Sequence, residues 1–264
     1  MRRPNLLIAG AQKSGTSSLY RMLARHPEIF MAARKELNFF NRQGLTAQDF
    51  AEYLENFADA GAVRYLGEAT PHYFSSDRDG SGRSQVAERI AGWLGTDLRI
   101  VLILRNPVER ALAGWRHNYV YGRLSEAVSI FEAPPAQGLL ELSHYARHWR
   151  AWTQPFDPGR FSVHLFDDLA LRPRRLLRQV LAGLDLDFPE AAYAEFPFRQ
   201  PFNNIRSNMT RQQVEAIPGF DAGTINRLVA LFEADIAFVE AMTGRALPEW
   251  RDAGRIAAAF AEIR

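Results

Sequence analysis

The junction between a short apolar strand and a helix, near the start of the chain, restricts the fold more than any other segment. Residues 5–10 are typical of a strand, and apolar residues at helical spacing predict a helix over residues 15–26. Residues 10–18, with the sequence GAQKSGTSS, join the two with two glycines, one lysine and four hydroxyl side chains. Such a turn directs backbone N–H groups and the positive end of the helix towards an anion. The junction therefore predicts an α/β fold with an anion-binding loop.

The alternation of strands and helices continues along the chain. The uninterrupted apolar run LRIVLIL, residues 98–104, is typical of a central parallel strand that is buried on both faces. Asn106 and Pro107, directly after it, predict the N-cap and the first residue of a helix. Further strands are predicted over residues 29–31, 63–69 and 161–166, and further helices over residues 46–59, 83–94, 107–121, 142–152, 173–184 and 225–242. Together these elements predict a single three-layer α/β domain over residues 1–264, P-loop-like, with a central parallel sheet flanked by helices.

Two stretches without clear periodicity are predicted to be loops beside a site. Residues 122–140 contain Pro134-Pro135 and are interpreted as an insertion or lid. Residues 197–220 are interpreted as a second lid-like loop, which carries Arg206 and Arg211 within a polar cluster. Since loops of this kind carry substrate contacts but no motif, the sequence does not identify the substrate.

Composition excludes several other classes of protein and site. A chain of 264 residues that is 47% apolar can bury its own core and is unlike a disordered protein. The absence of cysteine excludes a disulfide framework, a thiolate metal site and a cysteine nucleophile. No stretch approaches the length of a membrane span, and the apolar run at the start ends at Gln12, too early for a secretory signal. We therefore expect a cytoplasmic protein.

The net positive charge is small, but the basic residues are unevenly divided between arginine and lysine. The 32 basic residues exceed the 30 acidic ones by only two, so the chain has no strong overall positive field that would attract nucleic acid. A non-catalytic protein that binds nucleotides or nucleic acid is one class that we consider, beside the two classes of enzyme described below. Lys13 and Lys35 are the only lysines in the chain. A lysine places a compact charge on a single oxygen, whereas an arginine presents a fork. Both lysines lie in segments whose residues indicate a functional site.

The glycine spacing of the loop also permits an enzyme that uses a nucleoside triphosphate, such as a kinase or ATPase. Gly10 and Gly15 match GxxxxGK[ST], but Thr16 stands at the lysine position, and the lysine has moved to Lys13. Ser17 could still hold magnesium, and SVHLFDD, residues 162–168, is superficially similar to a strand that ends in a magnesium-binding aspartate. The displaced lysine argues against a P-loop kinase or ATPase without excluding one.

Four motifs, in order along the chain, resemble those of sulfotransferases that use 3′-phosphoadenosine 5′-phosphosulfate (PAPS). KSGTSS after the first strand resembles the loop that binds the 5′-phosphosulfate. RKELNFFN, GEATPHYF and RIVLILRNPVER, at residues 34–41, 67–74 and 99–110, are similar to later motifs of the heparan sulfate O- and N-sulfotransferases. The resemblance covers residues 5 to about 185. It implies metal-independent transfer of a sulfuryl group from PAPS to a hydroxyl or amine of a carbohydrate or glycoconjugate.

The same resemblance implies which residues bind the donor. The residues that correspond to the 5′-phosphosulfate loop are Lys13, Ser14, Gly15, Thr16, Ser17 and Ser18. Arg105 corresponds to the ligand of the 3′-phosphate, and Ala113 stands where the family usually has a serine bound to that phosphate. Arg206 and Arg211 fall where the family has a lid whose basic residues touch the donor.

Two residues compete for the role of the catalytic base. Glu36 matches the base of the heparan enzymes, while His72 has a position similar to the histidine of the phenol and steroid sulfotransferases. Lys35, Glu68 and His72 are expected to bind or position the acceptor, with Glu68 facing the same cleft as Lys35. The family has a lysine after this glutamate, where this chain has Ala69, and Lys35 is a candidate for the missing cation. The oligomeric state is not indicated by the sequence.

Overall fold

Among the residues that the structure describes, five strands form one parallel sheet. The structure is a computed structural model that describes residues 2–77, 79–198 and 217–261. The strands are β1 (Leu6–Gly10), β2 (Ile29–Met31), β3 (Tyr65–Ala69), β4 (Arg99–Leu104) and β5 (Phe161–Leu165), and they lie in the order β2–β3–β1–β4–β5 with every pair parallel. The predicted central parallel sheet flanked by helices is confirmed.

The described helices include counterparts of every predicted helix and two helices that were not predicted. They are α1 (Thr16–Leu23), α2 (Ala47–Glu55), α3 (Gln85–Leu94), α4 (Pro107–Val120), α5 (Tyr145–Trp152), α6 (Phe166–Leu171), α7 (Pro173–Gly183), α8 (Ala222–Leu231), α9 (Glu233–Thr243) and α10 (Ala253–Ala261). Of the described residues, those within Met1–Leu104 and His148–Phe202 form a first compact unit, and those within Arg105–Arg147 and Asn203–Arg264 form a second. The sheet belongs to the first unit. The expectation of a single domain stays a prediction.

Local capping explains where two of these helices begin. Thr46 and Asp49 form a capping box at α2, in which each side chain accepts a hydrogen bond from the other residue's backbone N–H. The Asn106 side chain accepts from the Val108 amide at 2.9 Å, and Pro107 is the first residue of α4. Both starts were predicted because a cap depends on residues that are neighbours in the sequence.

Each unit has its own apolar core. In the first unit, side chains of β1 and β4 pack with those of α1 and α7, and the apolar runs are continuous because the strands are buried on both faces. In the second unit, residues of α4 pack with those of α8 and α10. Leu124, Ile130 and Leu139 are buried in this second core, so the segment over residues 122–140 is partly anchored. Its role as a lid stays a prediction.

The single long helix predicted over residues 225–242 is wrong, because the chain forms α8 and α9 instead. Phe232 separates them with φ −101° and ψ 11°, and its side chain is fully buried in the second core. Packing of this ring overrides the helical periodicity that continues on both sides of it. Gly244, with φ +63°, ends α9 in the left-handed conformation expected of a helix stop.

Candidate functional site

The loop between β1 and α1 is shaped by its backbone. Gly15 has φ +85°, and a Cβ at this position would overlap the side chain of Leu169 and approach Phe166 to 3.2 Å. Lys13, with φ +64°, is also left-handed, which is uncommon for a residue with a side chain. The glycine at position 15 is therefore required by conformation and by space.

The head of α1 offers polar groups to an anion. Gly15 is its N-cap and provides no side-chain hydrogen bond, and the first turn contains no acidic residue. Ser14 is completely buried, and its hydroxyl has no hydrogen-bond partner among the described residues. Buried hydroxyls normally have a partner, so this one fits a bound anion that would supply it. The loop thus fits a phosphate or phosphosulfate group.

The segment after β2 extends along the end of β3. The amide of Ala32 donates to the carbonyl of Gly67 at 2.8 Å, and that of Glu36 donates to the carbonyl of Ala69 at 2.9 Å. Glu36 has φ +63°, a strained conformation of the kind that collects at functional sites. These bonds place the Glu36 backbone beside the carboxyl end of β3.

The structure brings together four of the side chains singled out in the sequence. Lys35 donates to a Glu36 carboxylate oxygen at 2.7 Å, with the Glu36 side chain 47% exposed. Partial burial acts to raise the pKa of Glu36, but the hydrogen bond and charge of Lys35 and the charges of His72 and Lys13 outweigh it. The net result is a pKa below the usual value, so Glu36 is ionised at neutral pH. We call Lys13, Lys35, Glu36 and His72 the edge cluster.

Glu68, which the sequence analysis assigned to the same cleft as Lys35, has a buried side chain, and its role towards the acceptor stays a prediction. It is 1% exposed, and burial raises its pKa to about 8 against the lowering effect of the Tyr73 and Tyr53 hydroxyls. A carboxyl group in such surroundings is neutral at pH 7. Any influence of Glu68 on the site therefore passes through neighbouring residues.

Arg105, in the second unit, takes part in an ion-pair group of three side chains. It directly follows the last residue of β4, and its Nε and Nη2 donate to one oxygen of Glu109 at 3.1 and 3.0 Å. Arg255 of α10 donates to the other oxygen of Glu109 at 2.7 Å. We call Arg105, Glu109 and Arg255 the arginine cluster. Two cations sharing one carboxylate leave a net positive charge, which suits a further anion.

Sequence reasoning missed Arg255 because α10 carries no motif and was not predicted. The Asp167-Asp168 pair lies in the first turn of α6 and does not end a strand. Arg206 and Arg211 lie outside the described residues. Within the described part of the chain, no group of three or more histidine, aspartate or glutamate side chains has the arrangement of a metal site, and no helix could cross a membrane.

Comparison with known proteins gives a consistent family. The model of the sulfotransferase domain matches residues 3–226. A bifunctional heparan sulfate N-deacetylase/N-sulfotransferase 1 of Caenorhabditis elegans is 26% identical over 210 residues, which are 73% of this chain and 23% of that protein. A heparan sulfate glucosamine 3-O-sulfotransferase 5 of Mus musculus is 25% identical over 194 residues, 69% of this chain and 54% of that protein. The chain thus spans about a quarter to a half of the length of these relatives.

Solved structures show the same fold. The crystal structure of a sulfotransferase from Alicyclobacillus acidocaldarius has a TM-score of 0.68 and 26% identity, and the match covers 95% of this chain and all of that one. A sulfotransferase domain from the curacin biosynthetic pathway, at 15% identity and a TM-score of 0.55, shares the fold. The fold of this chain is therefore shared with these two sulfotransferase structures.

Proposed function

Because this chain belongs to the sulfotransferase domain family, we propose that it transfers a sulfuryl group from PAPS to a hydroxyl or amine of a carbohydrate or glycoconjugate. The observation that carries this proposal is the buried hydroxyl of Ser14 before α1, which has no partner among the described residues. Ser14 directly follows Lys13, a member of the edge cluster. The carbohydrate acceptor is supported by relatives named for heparan sulfate.

The proposed reaction is an in-line displacement at sulfur. The acceptor oxygen or nitrogen forms a bond to sulfur as the bond from sulfur to the 5′-phosphate oxygen breaks, and 3′,5′-adenosine bisphosphate leaves. Glu36 takes the proton that the acceptor loses. Lys13 and the amides of residues 15–17 neutralise the charge that grows on the leaving phosphate. A sulfuryl group carries less negative charge than a phosphoryl group, so these protein groups meet most of the electrostatic demand.

Glu36 is favoured as the base over His72. Its pKa lies below the usual value, so it is already ionised and able to accept a proton at neutral pH. The positive charges of Lys35, His72 and Lys13 lower this pKa and so make Glu36 a weaker base. After the transfer Glu36 releases the proton to solvent, and its ion pair with Lys35 forms again. His72 is exposed and, when protonated, adds to the positive charge of the edge cluster.

We assign the 3′-phosphate of the donor to Arg105. A guanidinium can grip a phosphate through two N–H groups, and Arg105 already uses Nε and Nη2 in this way on Glu109. The competing structural role, in which Arg105 serves only to hold Glu109, predicts no dependence of binding on the 3′-phosphate.

The cytoplasmic location expected from the sequence also stays a proposal, and cell fractionation tests it.

A thermal-shift comparison tests the identity of the donor. Ligands that bind only the native state raise the melting temperature, so 3′,5′-adenosine bisphosphate should stabilise the protein while ATP with magnesium should not. Adenosine 5′-monophosphate is the matched control that lacks the 3′-phosphate. A response to ATP with magnesium alone would overturn the proposal in favour of a kinase or ATPase.

The acceptor class requires a separate measurement. Transfer of labelled sulfate from PAPS to an unsulfated polysaccharide of the heparan type should exceed transfer to a simple phenol. The reverse preference would retain the sulfotransferase reaction but contradict the carbohydrate acceptor, and it would make His72 the stronger candidate for the base.

A further inference from the structure

A carboxylic acid is buried next to the edge cluster. Glu68 immediately precedes Ala69, whose carbonyl accepts the Glu36 amide at 2.9 Å. Neither carboxyl oxygen of Glu68 makes a hydrogen bond of regular geometry with a described residue. A buried carboxyl group without hydrogen bonds of regular geometry is costly to ionise, so this group needs an explanation.

Two tyrosines connect Glu68 to the segment that carries Glu36. The hydroxyls of Tyr53, on α2, and Tyr73, after β3, are the titratable groups that act on the ionisation of Glu68. Tyr73 accepts a hydrogen bond from the Phe40 amide at 3.2 Å, and the Phe40 ring lies 5.3 Å from Tyr53 and 5.7 Å from Tyr73. Tyr53 also stacks on Phe39 at 4.5 Å.

These contacts hold the far end of a short and strained segment. Phe39 and Phe40 are buried, whereas the side chains of Glu36 and Lys35 at the near end are 47% and 17% exposed. Between them Asn38 is also left-handed, with φ +55°, and its amide donates to the hydroxyl of Thr70 at 3.3 Å. The position of the Glu36 carboxylate therefore depends on how firmly the two phenylalanines are held.

We propose that Glu68 is a positioning residue that remains protonated in the working enzyme and, through Tyr53 and Tyr73, holds the segment from Lys35 to Phe40 so that Glu36 is in place. The inference rests on the proposed role of Glu36 as the base. A neutral carboxyl is compatible with an aromatic environment, whereas ionisation would put a negative charge beside the two tyrosines and force the hydroxyls to turn towards it. The pKa of about 8 supports this protonation state.

The first test is the pH dependence of turnover, because a purely structural glutamate would not move it. Wild-type turnover should fall above about pH 8 as Glu68 loses its proton. Glu68→Gln stays neutral at every pH, so it should lose that alkaline limb while showing a several-fold lower turnover at pH 7. Glu55→Gln, an exposed glutamate on α2, is the matched control and should retain the wild-type profile. An unchanged alkaline limb in Glu68→Gln would overturn the proposal.

The variant Tyr73→Phe tests whether Glu68 acts on Glu36 through the Tyr73 hydroxyl. It removes the hydroxyl that accepts a hydrogen bond from the Phe40 amide and that lowers the pKa of Glu68. We therefore expect about a tenfold lower kcat with a nearly unchanged KM for PAPS, since the donor loop is untouched, and an alkaline limb displaced to higher pH. An equal rise in KM for PAPS, or a limb that stays in place, would contradict the connection through Tyr73.

A measurement without turnover separates this inference from the proposed function. The folded pKa of Glu68 lies above its unfolded value near 4.5, so its protonated form contributes stability that is complete below that value and is lost as pH rises towards 8. The melting temperature of wild type should therefore fall relative to Glu68→Gln between these pH values. A constant difference would refute the protonated state whatever the enzyme transfers. A pH-dependent difference in a protein with no sulfuryl transfer would instead refute the proposed function and the catalytic half of the inference.

Discussion

In the first unit the anion-binding loop and the main chain at Glu36 are set by backbone conformation and backbone hydrogen bonds, whereas in the second unit the candidate phosphate ligand Arg105 is held by other side chains. The loop before α1 depends on Gly15 at φ +85° and Lys13 at φ +64°, and the main chain at Glu36 is held by the bond from its amide to the Ala69 carbonyl. Arg105 is instead oriented by Glu109, which Arg255 holds from the other side.

The two units differ in how much their existing contacts must rearrange when an anion binds. A loop formed by backbone conformation presents its N–H groups in fixed directions and loses little when an anion arrives. An arginine in an ion pair has to share or exchange its partner, and the phosphate must compete with Glu109 for the guanidinium. We therefore expect substitutions in the first unit to act mainly on turnover and substitutions in the second unit to act mainly on donor affinity.

The largest expected effect is on Glu36. Glu36→Gln keeps the shape of the side chain but removes its ability to accept a proton, so turnover should fall by roughly 10² to 10⁴-fold while donor affinity holds. Since the pKa of Glu36 is lowered, the acid limb of wild-type turnover should lie below pH 4.5, where the carboxylate becomes protonated. His72→Gln is the control and should cost far less. A nearly active Glu36→Gln together with an inactive His72→Gln would reverse the assignment.

Lys13→Ala should lower turnover by about 10² to 10³-fold, the loss that follows removal of one group that stabilises developing charge. Lys13→Arg tests whether a compact point charge is required, and we expect it to restore little activity. The two variants have the same demand for a left-handed residue, so their difference reports the side chain alone. Full activity in Lys13→Arg would show that any cation suffices there.

In the second unit, Arg105→Ala should weaken binding of 3′,5′-adenosine bisphosphate by about 10- to 100-fold, as expected for a charged hydrogen bond. The loss should nearly vanish with adenosine 5′-monophosphate. Arg255→Ala keeps Arg105 but releases one side of Glu109, so its effect should be smaller and have the same dependence on the 3′-phosphate. Calorimetric titration of both ligands measures this, and equal losses with and without the 3′-phosphate would place Arg105 outside the donor site.

The sequence predicted most of the backbone and part of the site. Thr46 and Asn106 signalled helix starts through neighbouring residues, and the glycine loop was evident from its spacing. The break at Phe232, the burial of Glu68 and the contact of Arg255 with Glu109 were not predicted. Each of these depends on residues distant in the sequence that packing brings together, which no local pattern records.

Gly15→Ala tests whether the loop is held by its backbone. A left-handed alanine costs about 1–2 kcal/mol, and its Cβ would also displace Leu169, so both stability and turnover should fall. Gly92→Ala is the matched control, because Gly92 lies within α3 with nothing within 4 Å of an added Cβ. That variant should gain up to about 1 kcal/mol through helix propensity. Denaturant unfolding measures both, and a Gly15→Ala protein as stable as wild type would break the comparison between the units.

The smallest expected effect, on Ala113, tests whether the second unit still has room for another phosphate ligand. Ala113 packs against the core of the second unit and stands at the position that the resemblance described above assigns to a phosphate-binding serine. If the donor's 3′-phosphate reaches this position, Ala113→Ser should tighten binding of 3′,5′-adenosine bisphosphate by about 0.5–1.5 kcal/mol, the net value of one hydrogen bond. If it does not, the hydroxyl has no phosphate to bind and is only a polar group added beside an apolar core, so stability should fall with no gain in affinity. The first outcome is tighter binding in calorimetry, and the second is a lower melting temperature with unchanged binding. The second outcome would mean that position 113 contributes nothing to binding of the 3′-phosphate.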